Sequence, residues 1–287
     1  MKFGSLDISD LKIGSTDINE VRIGSTLVWA RSTQSYTSDF ISATGISNNT
    51  IIAALTALES DLTTAGLIDY STPANNVIKA MYPIVGGSAA THKYNFLNPV
   101  DTDAAYRIAW SGTITHDADG VQGDGSSGTG NTFFDFADLP QNSSHLMYYT
   151  HSGSGGGWYD IGTTGGDGNF YMVTNFNNGG AHYIAMSDGE STFSGTGTGP
   201  YGCHLARRKD ASTVAYDFNG TYSTTRSKSS ISYAGAIIGL LGMRLNGAPL
   251  HYSTRKYNFF SIGEGMTDQQ AVDYCVAVIA FNTALGR

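Results

Sequence analysis

Charge is what this 287-residue chain has least of: Asp, Glu, Lys and Arg make up 14% of it, against a usual share of about 25%. Proline stands at 6 residues and cysteine at 2. So little proline excludes a collagen or a proline-rich linker. Cys203 and Cys275 are too few for a disulfide scaffold and lack the C-x-x-C spacing of zinc and redox motifs, so they read as buried thiols. Basic residues are outnumbered 16 to 24, which argues against nucleic acid as a partner, because such binding releases counterions from phosphates with cationic side chains. The longest weakly polar run, 231–245, is short for a bilayer and broken by Gly235, Gly239 and Gly242. Met1 to Asp7 lacks the apolar core of a signal peptide, so neither export nor membrane insertion is expected.

Glycine (36), tyrosine (17) and phenylalanine (13) are plentiful. That many aromatics implies a packed fold, and with so few charges its surface is solvated mainly by hydroxyls and amides.

Residues 1–29 repeat every ten positions. Gly4, Gly14 and Gly24 align, as do Ile8, Ile18 and Val28, and Lys12 with Arg22. Gly-Ser between short β-prone runs reads as a tight turn, so residues 1–30 form a meander of very short strands. So small a unit buries little apolar area alone. Ile8, Ile13, Ile18, Ile23 and Trp29 are therefore expected to anchor the chain on another protein, the alternative being a mini-sheet folded back on its own body.

Residues 31–100 read as a small helical connector. Asn48-Asn49-Thr50 offers caps for a helix whose Ile51, Leu55, Leu58 and Leu62 share one face, and Gly66 stops it. Ser71-Thr72-Pro73 reads as the start of a second helix through Val77, Ile78 and Met81. This pair either packs on the body or gathers several chains into an oligomer.

From residue 101 the pattern is short β-prone runs between glycine-rich turns. Strands are expected at 106–110, 132–136, 145–149, 170–174, 183–186, 203–207, 214–218, 221–225, 236–240 and 256–261, with hairpin turns at Asn219-Gly220 and Asn246-Gly247. Residues 101–287 thus read as an antiparallel β-sandwich of jelly-roll type. It closes with a helix: Thr267 caps, Gln270 completes the capping box, and Val272, Cys275, Val276, Ile279 and Ala280 make its apolar stripe. The expected class is mainly β: N-terminal meander, helical connector, sandwich and terminal helix.

Two stretches carry a resemblance. The Gly-Ser-Thr decads leading to Leu27-Val28-Trp29 resemble short N-terminal modules of tailed-phage virion proteins. Phe259-Phe260-Ser261-Ile262-Gly263-Glu264-Gly265-Met266-Thr267-Asp268 through Arg287 is similar to the end of concanavalin-like jelly-roll domains in phage structural proteins, and the segments Pro83–Gly87 and Thr91–Phe96 look like the connector before them. The resemblance implies a head or tail fibre, spike or decoration protein of the virion, assembled in the host cytoplasm. It further implies a homotrimer, bound to other virion proteins through its N-terminus, displaying a lectin-like domain toward host-surface glycan.

The jelly roll also hosts glycosidases, which need two carboxylates across a cleft. The Glu-x-Asp-x-x-Glu run usual for such enzymes of this fold is absent, and the glutamates are only Glu20, Glu59, Glu190 and Glu264. Ser152-Gly153-Ser154-Gly155 is a loop run, not a nucleophile elbow. The chain is therefore expected not to be an enzyme, a polysaccharide depolymerase being the disfavoured alternative. Asp117, Asp119 and Asp124 offer hard oxygens at a spacing calcium loops use, yet no glutamate closes the site, and the same residues read as an Asp/Gly turn. No cofactor is expected, calcium being the one metal admitted. Sugar recognition needs aromatic faces and amides on loops. Trp158, Tyr159, Tyr201, Asn175 and Asp167, beside glycine-rich loops, are the candidates. Trp158 and Tyr159 read equally as the start of a core strand. Arg207-Arg208-Lys209, the one basic cluster, reads as a solvated turn, the alternative being a phosphate or acidic-glycan contact.

Overall fold

The structure, a computed structural model, describes residues 34–152, 159–165, 168–175, 181–188, 191–193, 201–232, 235–245 and 247–287, together with short strands before residue 34. The chain divides into two compact units, Met1–Ser35 and Tyr36–Arg287. The first holds three antiparallel two-stranded hairpins, β1 (Lys2–Phe3) with β2 (Leu6–Asp7), β3 (Lys12–Ile13) with β4 (Thr16–Asp17), and β5 (Glu20–Ile23) with β6 (Thr26–Ala30). Their spacing follows the ten-residue repeat.

The second unit is a sandwich. Its strands in chain order are β7 (Ile78–Pro83), β8 (Ala109–Ser111), β9 (Ile114–Asp117), β10 (Gly120–Gly123), β11 (Thr129–Asp135), β12 (Ser144–Ser152), β13 (Ile161–Gly165), β14 (Gly168–Asn175), β15 (Ala181–Asp188) and β16 (Ser191–Phe193). They continue as β17 (Gly202–Arg208), β18 (Thr213–Phe218), β19 (Tyr222–Ser227), β20 (Ile237–Leu240), β21 (Met243–Leu245), β22 (Ala248–Leu250) and β23 (Lys256–Gly263). The first sheet runs β19-β18-β17-β12-β23-β10-β9, with β7 also on β23; the second runs β16-β15-β14-β13-β20-β11-β8, with β21 and β22 beside β13. The two Asn-Gly signals fall at hairpins, Phe218 pairing with Tyr222 and Leu245 with Ala248.

Alternation explains the layers. Along β12, Leu146 and Tyr148 enter the core between the sheets, while Met147 and Tyr149 enter a second core under the helices. A strand buried on both faces loses the polar half of its pattern, so Leu146–Tyr149 reads as a continuous apolar run. The second core joins the first sheet to α1 (Tyr36–Thr44), α2 (Asn49–Thr64) and α4 (Asp268–Ala284) through Leu55, Leu58, Leu62, Tyr274, Cys275, Val278 and Phe281, α3 (Ala89–His92) being a single turn after β7. Burying each large side chain contributes about 1.5–3 kcal/mol. Local signals set the helix ends. Asn48 accepts from the Thr50 and Ile51 N–H groups at 2.9 and 3.2 Å, and Thr267 with Gln270 forms the expected capping box. Glu59 accepts from the Tyr36 and Thr37 N–H groups at 2.8 and 2.9 Å, an anion where the α1 dipole favours one.

Residues 36–100 share a compact unit with the sandwich: α2 packs on α4 through the shared core, and β7 pairs with β23. Three expectations are corrected. The second expected helix is only a short turn at Pro73–Asn75 followed by strand β7. Ile78 and Met81 fit a helical spacing, but pairing with β23 buries both faces of the segment. On α4, Val272 and Val276 are exposed, 37% and 54%, while Ala271, Tyr274 and Phe281 face the core. Arg207 and Arg208 are no solvated turn: both are fully buried in β17.

Candidate functional site

Helices cover the outer face of the first sheet. Among the described residues no α-helix packs on the outer face of the second. There Tyr171, Ala185 and Met243 form a cluster of their own, with Tyr159 and Tyr183 half-buried against it. Alternation puts them outside, since their neighbours Phe170, Met172, Ile184 and Met186 fill the inner core. The Tyr159 ring stands edge-on to Tyr171 at 4.7 Å and lies 5.1 Å from His251, tilted 31°.

Cross-strand register flattens the face beside Tyr171. One row runs Ala185, Tyr171, Gly162, Gly239, Asn131 and Ala109 across six strands. At Gly162, with φ +139°, an added Cβ would stand 2.4 Å from Tyr171 Cα and 2.4 Å from the Phe170 carbonyl oxygen. Such approach admits only glycine. At Gly239 a Cβ would meet Arg244 Cγ at 2.8 Å, so the Arg244 stem lies along this row. Its Nη2 donates to the Gly247 carbonyl, its Nε has no acceptor among the described residues, and burial pulls its guanidinium below the ordinary range. Tyrosine rings, a glycine step, an amide and a half-buried guanidinium thus share one face, the combination a sugar needs: C–H faces on aromatic rings, hydroxyls on polar groups.

A buried network holds the platform. Asp160 follows Tyr159 and turns inward, where its carboxylate accepts from Tyr148 Oη at 3.0 Å and from Tyr257 Oη. Arg255 Nη1 lies 3.8 Å from it, and Ser253 Oγ is 2.6 Å from Tyr257 Oη. Next to it His204 Nδ1 is 2.8 Å from Tyr216 Oη, which is 3.4 Å from His182 Nε2. Burial and the nearby Asp160 charge both push the phenols of Tyr148 and Tyr257 far above the usual range, so they stay protonated as donors.

Of the sequence candidates, Tyr159 lies on this face. Trp158 and Asp167 fall outside the described residues, and Asn175 ends β14 with its side chain outside them. Tyr201, 46% exposed, stands just before β17 of the other sheet. Ile8 and Ile18 fall outside the described residues. Ile13, Ile23 and Trp29 lie within the N-terminal strands, their side chains outside the description. Asp117 and Asp124 have their carboxylates engaged apart from each other, and Asp119 takes part through its main chain. Asp117 pairs with Lys256 at 2.6 Å and caps the Asp119 N–H; Asp124 accepts from Ser126, Ser127 and Gly128. Among the described residues no three His, Cys, Asp or Glu side chains gather to hold a metal ion. Sequence reasoning missed Tyr171, Tyr183, His251, Arg244 and Asp160. The available signal was the alternation in 170–172 and 183–186.

Fold and face together define a mainly antiparallel β-sandwich, β13 and β21 being its one parallel pair among the described residues, helix-covered on one side and with an aromatic sheet face on the other. No family model matches the chain, and no curated protein matches it. Among solved structures it is similar to the binding domain of botulinum neurotoxin serotype D, at 9% identity and TM-score 0.47, over 71% of this chain and 52% of that one. Domain 4 of AbnA, a GH43 extracellular arabinanase from Geobacillus stearothermophilus in complex with arabinotriose, aligns at 14% identity and TM-score 0.40, over 69% of this chain and 98% of that one. The CBM40 of the Ruminococcus gnavus IT-sialidase aligns at 11% identity and TM-score 0.36, over 48% and 85%. The chain thus spans about half the length of the neurotoxin domain.

Proposed function

We propose that the chain is a lectin-like fibre or spike protein of a tailed-phage virion that binds host-surface glycan without cleaving it. The observation that carries the reading is the outer face of the second sheet, on which no described helix packs: half-buried Tyr159, Tyr183 and His251 gather around the buried Tyr171 ring, beside Gly162 and Gly239. A flat face of this kind binds one sugar weakly. A homotrimer, repeated over a particle, turns weak sites into avidity. Attachment to other virion proteins falls to the first thirty residues: isolated two-stranded hairpins are marginal in water and gain stability on a partner. Binding rather than catalysis is supported by the glutamates in view, since Glu59 caps α1 and Glu264 pairs with Lys79 at 2.8 Å.

Purified full-length protein on an array of bacterial surface polysaccharides tests this. Binding to a discrete set of glycans, lost in Tyr159→Ala, is the expected result. Silence across the array would leave a ligand-free decoration protein. Oligosaccharide released from the bound polymer would make the chain a depolymerase.

A further inference from the structure

In a chain of net charge −8 an arginine has many carboxylates to choose from. Arg107 pairs with Asp101 and Asp103, Arg207 with Asp217 and Asp268, Arg208 with Asp188, and Arg255 faces Asp160. Arg244 of β21 does not follow them. It is half-buried on the outer face of the second sheet, and among the described residues no carboxylate pairs with it. Burial alone acts on its guanidinium, with no acid to offset it. An arginine starts so high that it stays charged at neutral pH all the same.

Neighbours fix where that charge stands. The Arg244 stem lies over Gly239, where an added Cβ would meet its Cγ at 2.8 Å. Nη2 donates to the carbonyl of Gly247, in the turn that joins β21 to β22, and this tethers the guanidinium. Nε is closed off from solvent. Nη1 is neither closed off nor bonded to a described residue, so it is the donor that reaches the surface. Gly239 pairs with Gly162, and Gly162 with Tyr171, so the stem stands two strand spacings from Tyr171, about 10 Å. Met243, one residue before Arg244, packs in the Tyr171 cluster with Tyr159 against it. A tethered cation and the aromatic rings thus lie within the length of a disaccharide.

We propose that the aromatic face selects anionic glycan: Arg244 Nη1 donates to a carboxylate or phosphate oxygen of the unit next to the sugar on the tyrosine rings. This rests on the glycan-binding reading above and adds the charge class of the ligand. Tyrosine rings meet C–H faces that most sugars share, so they discriminate little by themselves. Arg244 supplies the discrimination in both directions. Its guanidinium is already tethered and has no protein carboxylate to give up, so an anionic group finds it pre-organised. A neutral sugar laid over it would shed water from the charge and return no counter-ion, which disfavours that class.

The test is an array carrying uronate polymers, each beside its carboxyl-reduced form, glycerol-phosphate teichoic acid, and neutral dextran and arabinan, probed with the full-length chain. Binding to a uronate polymer that falls about tenfold or more on reduction assigns a carboxylate; binding to the teichoic acid assigns a phosphate. Arg244→Gln keeps an amide for the Gly247 carbonyl but no charge. It should weaken binding to the anionic polymer by about tenfold or more, to the level at which the wild type binds the reduced form. If Arg244→Gln fails to fold, the wild type on native against reduced polymer decides. Equal binding of native and reduced polymers, binding confined to the neutral ones, or anionic binding unmoved by Arg244→Gln would overturn the inference and leave the glycan-binding reading standing. Silence toward every polymer would remove both.

Discussion

Arg208 of β17 reaches across the sandwich to Asp188 of β15, Nη2 to Oδ2 at 2.6 Å, and both side chains are buried. The same guanidinium donates to the Met186 carbonyl at 2.7 Å and the Lys228 carbonyl at 2.6 Å. Arg207, one residue earlier, points the other way. It grips Asp217 through two nitrogens at 2.6 and 2.9 Å and reaches Asp268 at the start of α4. Two adjacent arginines thus tie β17 to the second sheet on one face and to the terminal helix on the other.

Removing one partner of such a pair strands the other charge. Asp188→Asn is expected to cost about 3–5 kcal/mol of unfolding free energy. Replacing both residues with apolar ones of similar volume, Arg208→Met with Asp188→Leu, should recover much of that loss. Urea denaturation of the three proteins checks it. A double variant as unstable as Asp188→Asn would show that the hydrogen bonds to the Met186 and Lys228 carbonyls, not the charge pair, hold the sheets.

Gly162 faces Tyr171 across the β13–β14 pair. Gly162→Ala puts a Cβ against main chain at 2.4 Å and fixes a residue at φ +139°. A loss of about 2–4 kcal/mol is expected, because both strain and overpacking act there. Thermal unfolding reads it directly. Gly247→Ala is the control: a Cβ there meets nothing within 4 Å, so the positive φ of +83° acts alone and the cost should be smaller.

Acid should unfold the sandwich unit through its buried histidines. His145 is held down to about 4 by burial, His182 to about 4 and His92 to about 3 for the same reason. In each the unfolded chain, near 6.5, takes its proton first as pH falls. Stability is therefore full above pH 6.5 and declines as pH drops toward 4. For His145 the loss reaches about 3 kcal/mol. His92 adds a geometric lock. The Gly87 N–H donates to its Nε2 at 3.2 Å, so its proton sits on Nδ1 and is donated to His116 Nδ1 at 3.0 Å. Melting temperatures between pH 7 and 4 should fall steeply in the wild type and less in His145→Asn, whose amide still donates to the Glu264 carbonyl. Equal slopes in the two proteins would remove His145 from the account.

Features written in neighbouring residues were legible in the sequence. The Thr267–Gln270 box and the turn at Asn219-Gly220 need only a few positions to specify them, and each formed as read. Features set by distant partners were not. Arg207-Arg208 looks like a charged turn until Asp217 and Asp188 arrive from other strands. Strand β7 satisfies a helical spacing until β23 pairs with it. The aromatic face is the same case: Tyr171 and Gly162 become neighbours only through register, so the sequence points to Tyr159 and to a jelly roll but not to the surface they form.

The Tyr159–Asp160 step separates contact from support on the aromatic face. Tyr159→Ala removes a half-buried ring that meets Tyr171 and His251 from outside. It should abolish glycan binding on the array and lower stability only modestly. Asp160→Asn leaves the outer ring in place but disturbs the buried carboxylate that receives Tyr148 and Tyr257 and faces Arg255. An amide offers one acceptor oxygen where the carboxylate offers two, so one phenol loses its acceptor and the Arg255 charge loses its counter-ion. A stability loss of about 2–4 kcal/mol is expected. Glycan binding measured well below the new melting temperature should weaken less than in Tyr159→Ala, because the Asp160 carboxylate is buried inside the sandwich while the Tyr159 ring is half-exposed. Should Asp160→Asn erase binding while the fold stays intact by circular dichroism, the ligand would enter the sandwich interior, and the outer face would lose its claim to be the site.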